Sequence, residues 1–381
     1  MVHPLRCLGR RVTAAEGSSH TPPRILVVCP SWVGDAVMAT PALRRLRSAL
    51  PGAYIGALCK PGIEQILGGD PKGRTRLIDE FHVDPRAGVM GPKRAASKIR
   101  GRRYTVALLL SNSFSAALAV RMGGVPERLG YDRDGRSLLL TSRIAPPKND
   151  DGSWAIVCAV EYYHTLTDQL ISSLGKQPPT ERPPLELHTT YQEDTATEQL
   201  LERSSITDSA RLAILNPGGN NPAKRWPADR FAALADHLAT EHGLTILLNG
   251  APSEGDLIAA IDECCECACV RLPELGMSLG MLKPICKRAS LMVTNDTGPR
   301  HIAAAFGTPV VSLFGPTDHR WTTIPTKPLP NGEPAEQIIL ADPTLPESES
   351  ANDHPERCRI ERIELETVTR AADELLQEMR P

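Results

Sequence analysis

The sequence predicts an α/β protein made of two Rossmann-like, doubly wound parallel-sheet domains facing a cleft. Three observations lead there. The chain has 381 residues, too many for one ordinary domain and comfortable for two. Short apolar runs suited to buried parallel strands alternate with amphipathic segments of helical period. Residues 176–187 hold four prolines and neither period, and the alternation restarts beyond them. The expected division is a disordered tail over 1–23, a first domain over 24–180, a linker over 181–208, a second domain over 209–360 and a closing helix over 361–381.

The first strand is Arg24 to Cys29, an apolar run broken at Pro30. A helix follows through Leu43, Leu46 and Leu50, with Arg44, Arg45 and Arg47 on its wet side. Tyr54 to Leu58 completes a βαβ opening; Val106 to Leu110 is another strand and Ser113 to Val120 another helix. Past the linker, strands are expected at Leu212–Leu215, Leu244–Leu248, Leu291–Thr294 and Val310–Phe314. Helices are expected at Phe231–Ala239, Asp256–Cys264 and Pro299–Phe306, with the last at Glu361–Met379. Residues 325–356, rich in Pro, Glu, Ser and Asp, read as a partly disordered surface loop.

Composition narrows the function. Hydrophobic residues make up 41% and charged residues 23%, a globular balance, and the 4% of aromatics leaves the cores to Leu, Ile, Val and Ala. A formal net charge of −2 gives no global attraction to nucleic acid. No run approaches the roughly 18 apolar residues of a membrane span, and the first 23 residues lack the apolar core of a secretory signal, so a cytoplasmic protein is expected. Ten dispersed cysteines do not make a disulfide framework. Cys264, Cys265, Cys267 and Cys269 cluster, but closed zinc sites usually join two separated pairs, and a helix end running into a strand with small buried cysteines explains the run.

Ligands of open parallel sheets sit beyond the carboxyl ends of the strands, and three loops there carry unusual residues. In Pro30-Ser31-Trp32-Val33-Gly34-Asp35, the carboxylate of Asp35 is a candidate general base or, alternatively, a helix cap. In Asn216-Pro217-Gly218-Gly219-Asn220-Asn221-Pro222-Ala223-Lys224-Arg225-Trp226, glycines admit an anion to the backbone and Lys224 and Arg225 supply charge for a diphosphate; the alternative is a solvated turn. In Thr294-Asn295-Asp296-Thr297-Gly298-Pro299-Arg300-His301, Pro299 suits a first helical turn, so the N–H groups of Thr297 and Gly298 point beyond the strand at an anion. Asp132-Arg133-Asp134, before Gly135, reads as a turn rather than a metal-bound nucleotide site. Gly91 to Arg103, with six basic residues, is a solvated helix face or a meeting point for an anionic surface.

Three of these motifs together, Pro30 to Asp35, Pro222 to Pro227, and Asn295 to Pro299 with His301, resemble the heptosyltransferases of glycosyltransferase family nine. The likeness runs from residue 24 to about 322 and ends in Phe314-Gly315-Pro316-Thr317 and Trp321. The first motif is most similar to the branch that adds the second heptose of the lipopolysaccharide inner core. The resemblance implies the two-domain GT-B fold and an inverting transfer without metal or cofactor. Asp35 would be the catalytic base, with Ser31, Trp32, Gly34 and Asn112 facing the acceptor. Lys224 would hold the diphosphate beside Gly218 and Gly219, Asp296 the sugar, Glu254 the ribose, and Thr297, Gly298 and His301 the nucleotide side. The implied partners are ADP-L-glycero-D-manno-heptose as donor, a lipid A–Kdo core as acceptor and the inner face of the inner membrane, with no nucleic acid. A nucleotide-sugar epimerase of the same fold and a non-catalytic sugar-nucleotide binder are the alternative readings.

Overall fold

In the computed structural model, which describes residues 7–8, 22–69 and 76–379, the apolar runs assemble into two sheets in two separate units, residues 1–183 and 184–381. The first unit contains β1 (Cys7–Leu8), β2 (Arg24–Val28), β3 (Tyr54–Cys59), β4 (Glu80–Val83), β5 (Val106–Leu109), β6 (Glu127–Tyr131) and β7 (Ser142–Ile144). Its sheet runs β1-β7-β6-β5-β2-β3-β4, all parallel except β1, which pairs antiparallel with β7. The helices are α1 (Val33–Met38), α2 (Thr40–Ala49), α3 (Ile63–Leu67), α4 (Gly91–Arg100), α5 (Phe114–Met122) and α6 (Ala159–Ser173).

The second unit contains β8 (Leu212–Asn216), β9 (Thr245–Leu248), β10 (Cys269–Arg271), β11 (Leu291–Asn295), β12 (Val310–Phe314) and β13 (Glu336–Leu340). Its helices are α7 (Tyr191–Arg203), α8 (Ala228–His242), α9 (Gly255–Cys264), α10 (Leu282–Arg288), α11 (Gly298–Phe306) and α12 (Leu365–Glu378). The wholly parallel sheet runs β10-β9-β8-β11-β12-β13. Counted from β8, this is the doubly wound order 3-2-1-4-5-6, and the six parallel strands from β2 to β7 repeat it in the first unit. Each sheet therefore reverses direction once, between β2 and β5 and between β8 and β11, and that is where a ligand crevice opens. The central strands β2, β8, β11 and β12 are buried on both faces, as sheets covered by helices on each side require.

Several expectations need correction. Cys7–Leu8 form an edge strand inside the expected tail, most of whose other residues lie outside those described. Arg45 is not on a wet face: its side chain is 3% exposed, pairs with Asp168 at 2.5 Å and donates to the Glu181 carbonyl, because α6 packs over α2. The span 181–208 contains α7, opened by a capping box between Thr190 and Glu193, and Lys283 on α10 ties that helix to the second unit. Residues 325–356 contain β13, which pairs with β12 over five positions and buries Ala335 beside it. Helix α12 packs on α8 and the core of the second unit through Val368, Ala372, Leu375 and Leu376. Among the described residues no helix is long and apolar enough to cross a membrane.

Candidate active site

In the first unit, β2 ends at the reversal point and the chain turns through Ser31 and an exposed Trp32 into α1. The cap of α1 is Trp32, and Asp35 lies one turn in, its carbonyl receiving the Ala39 N–H at 3.0 Å. Asp35 is thus not the cap, although a carboxylate in the first turn still meets the positive end of the helix. Gly34 is buried and Asp35 half-exposed. The buried hydroxyl of Tyr163 on α6 donates to the Asp35 carboxylate. Burial, and then the Asp35 charge, push the Tyr163 phenol well above its ordinary range, so it remains a donor at any working pH.

Asn112 follows β5, the strand across the reversal point from β2. Its amide is engaged within the unit: Oδ1 accepts from Arg136 at 2.8 Å and Nδ2 donates to the Tyr162 hydroxyl at 3.2 Å. Arg136 is wholly buried, and burial draws its pKa down to about 10. Neighbouring tyrosines of α6 therefore reach both loops, Tyr162 to Asn112 and Tyr163 to Asp35. Sequence reasoning missed this helix as a site element; the Tyr162-Tyr163 pair in a chain so poor in aromatics was the available signal.

In the second unit, polar residues end the apolar strands at the reversal point. Asn249 donates to Asn216 at 2.6 Å, and Asn216 donates to the hydroxyls of Thr294 and Thr297 at 3.1 and 2.8 Å. Asn295 grips the glycine loop, giving its amide hydrogens to the carbonyls of Pro217 and Gly218 and accepting the Trp226 N–H. Trp226, 1% exposed, is the anchor of that loop: its indole donates to the Ile363 carbonyl at 2.8 Å and meets Phe231 edge-on. Glu254 accepts the N–H groups of Gly219 and Ala251 at 2.7 Å each, closing the loop from the β9 side. A Cβ on Gly218 would run into the Glu254 carboxylate, so a larger residue here would push Glu254 off the loop.

Lys224 reaches across to Asp296 at 2.9 Å, joining the two expected donor residues. Burial alone would raise the Asp296 pKa, but Lys224 and Arg300 outweigh it and hold the carboxyl below its usual range. Arg300, one turn from Asp296 and wholly buried, pairs with Glu336 at 2.6 Å and donates to Thr322. It too was missed, although its spacing of four from Asp296 on a helix start was visible. Thr297 opens α11 without a side-chain cap, leaving the first N–H groups of the helix for an anion, with Lys224 alongside. His301 is 3% exposed and its Nδ1 has no partner among the described residues; burial first, then Arg300, bring its pKa to about 3, so it is a neutral imidazole. The site residues thus fall into two constellations: Ser31, Trp32, Gly34, Asp35 and Asn112 in the first unit, and Gly218, Gly219, Lys224, Glu254, Asp296, Thr297, Gly298 and His301 in the second.

Two Rossmann-like units, one holding a carboxylate and the other an anion-suited helix end, each at its own reversal point, have the architecture of the GT-B class of nucleotide-sugar enzymes. The chain belongs to glycosyltransferase family 9 (heptosyltransferase), whose family model matches residues 93–354. It is 29% identical over 310 residues to the lipopolysaccharide heptosyltransferase 2 of Salmonella typhimurium and to that of Escherichia coli, covering 78% of this chain and 84% of each relative. In structure it is similar to a glycosyl transferase family 9 protein of Veillonella parvula, with TM-score 0.75 and 21% identity over 93% of this chain and 97% of that one. It is likewise similar to the E. coli ADP-heptose LPS heptosyltransferase II, with TM-score 0.71 and 24% identity over 93% and 98%. The chain is therefore a glycosyltransferase of the heptosyltransferase family.

Proposed function

We propose that this enzyme moves a heptose from ADP-L-glycero-D-manno-heptose to the inner core of lipopolysaccharide, as a second-heptose transferase acting on a lipid A–Kdo acceptor. Relatives matched over most of their length are named lipopolysaccharide heptosyltransferase 2, which supports heptose as the group moved and lipopolysaccharide as the acceptor. The observation that supports the mechanism most is Lys224 beside the uncapped end of α11 at the reversal point of the second unit; in the first unit, Tyr163 holds a carboxylate at the corresponding place. Asp35 takes the proton from an acceptor hydroxyl, and the oxygen attacks the anomeric carbon from the face opposite the diphosphate. The bond to the departing ADP breaks as its charge meets Lys224 and the α11 N–H groups, fixed donors that act as a metal otherwise would. Ser31, Trp32, Gly34 and Asn112 serve the acceptor; Gly218, Gly219, Glu254, Asp296 and His301 serve the donor.

The same reading puts the enzyme in the cytoplasm, in peripheral contact with the inner membrane. The exposed face of α4 with the following residues, Lys93, Arg94, Lys98, Arg100, Arg102 and Arg103, supports that contact. Part of this charge is already met, Arg94 and Lys98 by Asp84 and Arg102 by Glu80.

The test is ADP release from ADP-heptose with a mono-heptosylated lipid A–Kdo acceptor in the presence of EDTA. Release that depends on the acceptor and persists in EDTA is expected. Donor isomerisation without acceptor would point to an epimerase, and tight donor binding without turnover on any core acceptor would point to a binding protein; either would overturn the proposal.

A further inference from the structure

Cys265, Cys267 and Cys269 take no part in the reaction above, yet the fold brings them to one point. Their sulfur atoms all lie within 4.8 Å of one another, and those of Cys267 and Cys269 are 3.8 Å apart. Two thiolates on one tetrahedral zinc ion, at bond lengths of about 2.3 Å, stand about 3.8 Å apart. Alternation along an extended segment explains why Cys267 and Cys269 share a side. The same alternation puts Cys265 on that side, and its thiol donates to the Ile261 carbonyl at 3.2 Å. A straight extended segment would hold its sulfur too far away; the bend at residues 266–267 brings it to the same point.

The surroundings hold this arrangement. Asp236 on α8 accepts the backbone N–H groups of Glu266 and Cys267 at 2.8 Å each, fixing the turn that carries the cysteines. All three thiols are half-buried against the core of the second unit, so the point where they meet is backed by apolar side chains. Cys264, by contrast, is exposed. Cys269 is the first residue of β10, which runs parallel to β9, whereas the donor loops follow the last residues of β8, β9 and β11. The cluster therefore lies at the end of the sheet away from the donor loops.

We propose that Cys265, Cys267 and Cys269 form a three-thiolate site for a soft cation of the zinc class, with water in the fourth position, that clamps the turn from α9 into the edge strand β10. Thiolates select such ions, and each thiol passes its proton to solvent as its sulfur binds. The role is structural, because the site lies at the opposite end of its sheet from the donor loops.

The full-length reduced chain, loaded with zinc ion alone and desalted, should retain about one equivalent by elemental analysis, as a single three-thiolate site would. Cobalt in place of zinc should give the thiolate-to-cobalt charge-transfer absorption. Cys264→Ser should keep the ion, while Cys267→Ser and Cys269→Ser should lose both it and the rise in Tm that zinc gives the wild type. If a serine variant does not fold, the cobalt spectrum of the wild-type chain decides alone. Absence of thiolate charge transfer in the wild type, equal retention by folded Cys267→Ser, loss of the ion on Cys264→Ser, or a Cys267–Cys269 disulfide in the protein as purified would each overturn the proposal.

Discussion

A carboxylate is a useful base only where its geometry is fixed, and at the residue scale the link between Asp35 and Tyr163 supplies that. Asp35 itself was legible in the sequence, because a Gly-Asp pair after an apolar run and a proline marks a strand-to-helix turn. Tyr163 was not, since it arrives from a helix far along the chain and only packing shows that its hydroxyl meets Asp35. Hydrogen bonds to charged groups contribute about 1.5–3 kcal/mol. Tyr163→Phe should therefore lower kcat by roughly tenfold to a hundredfold while leaving the KM for ADP-heptose unchanged. Steady-state kinetics at saturating acceptor would check this, and a change confined to donor KM would count against the positioning role. In the second unit, Lys224 and Asp296 could each be read from the sequence as candidates for the donor side, but their mutual ion pair could not, because it joins two loops from different strands.

Legibility at the element scale followed burial. The central strands announce themselves as short apolar runs because both their faces are covered. The edge and near-edge strands β4, β6, β7 and β13 are short, polar-rich or only partly buried, and went unrecognised, whereas β10 was read as the strand that the cysteine run enters. Helix α7 was hidden for another reason: polyproline-rich sequence just before it made the whole span resemble a linker. What holds α7 in place is an ion pair, with the wholly buried Lys283 side chain 2.9 Å from Glu193 and also donating to the His188 carbonyl. Removing one member of a buried pair strands the other charge, at a cost of about 3–5 kcal/mol. Glu193→Ala, which also deletes one half of the capping box, should destabilise the second unit by that order. Denaturant unfolding would measure it, and a loss below about 1 kcal/mol, the level of an exposed pair, would contradict the assignment.

For the whole molecule, one sheet order used twice explains why candidate residues of both units fall at strand ends flanking a reversal of direction. That much follows from alternating β and α segments; the pairing order and the extra antiparallel strand β1 required the structure. Stability should also carry a signature of buried histidine. Burial, followed by Arg45 and Arg182, brings His164 to about 3, as burial and Arg300 do for His301. Both must stay neutral in the folded chain, whereas unfolded histidine titrates near 6.5. Their folded pKa values are depressed, so the unfolded chain binds more protons below pH about 6.5 and stability falls from there toward pH about 3. The slope is at most about 1.4 kcal/mol per pH unit for each histidine. Unfolding followed from pH 7 to 5 should show this decline, and His164→Leu should flatten it; an unchanged slope in the variant would show that His164 is not neutral in the fold.

The most direct test of the central claim compares wild type with Asp35→Ala in acceptor-dependent ADP release, with ADP-heptose binding measured on both. A general base contributes about 10²–10⁴-fold, so turnover should fall by that factor while donor affinity, which belongs to the other unit, stays unchanged. Near-full turnover in Asp35→Ala would contradict the account, because proton removal would then have to come from some other group.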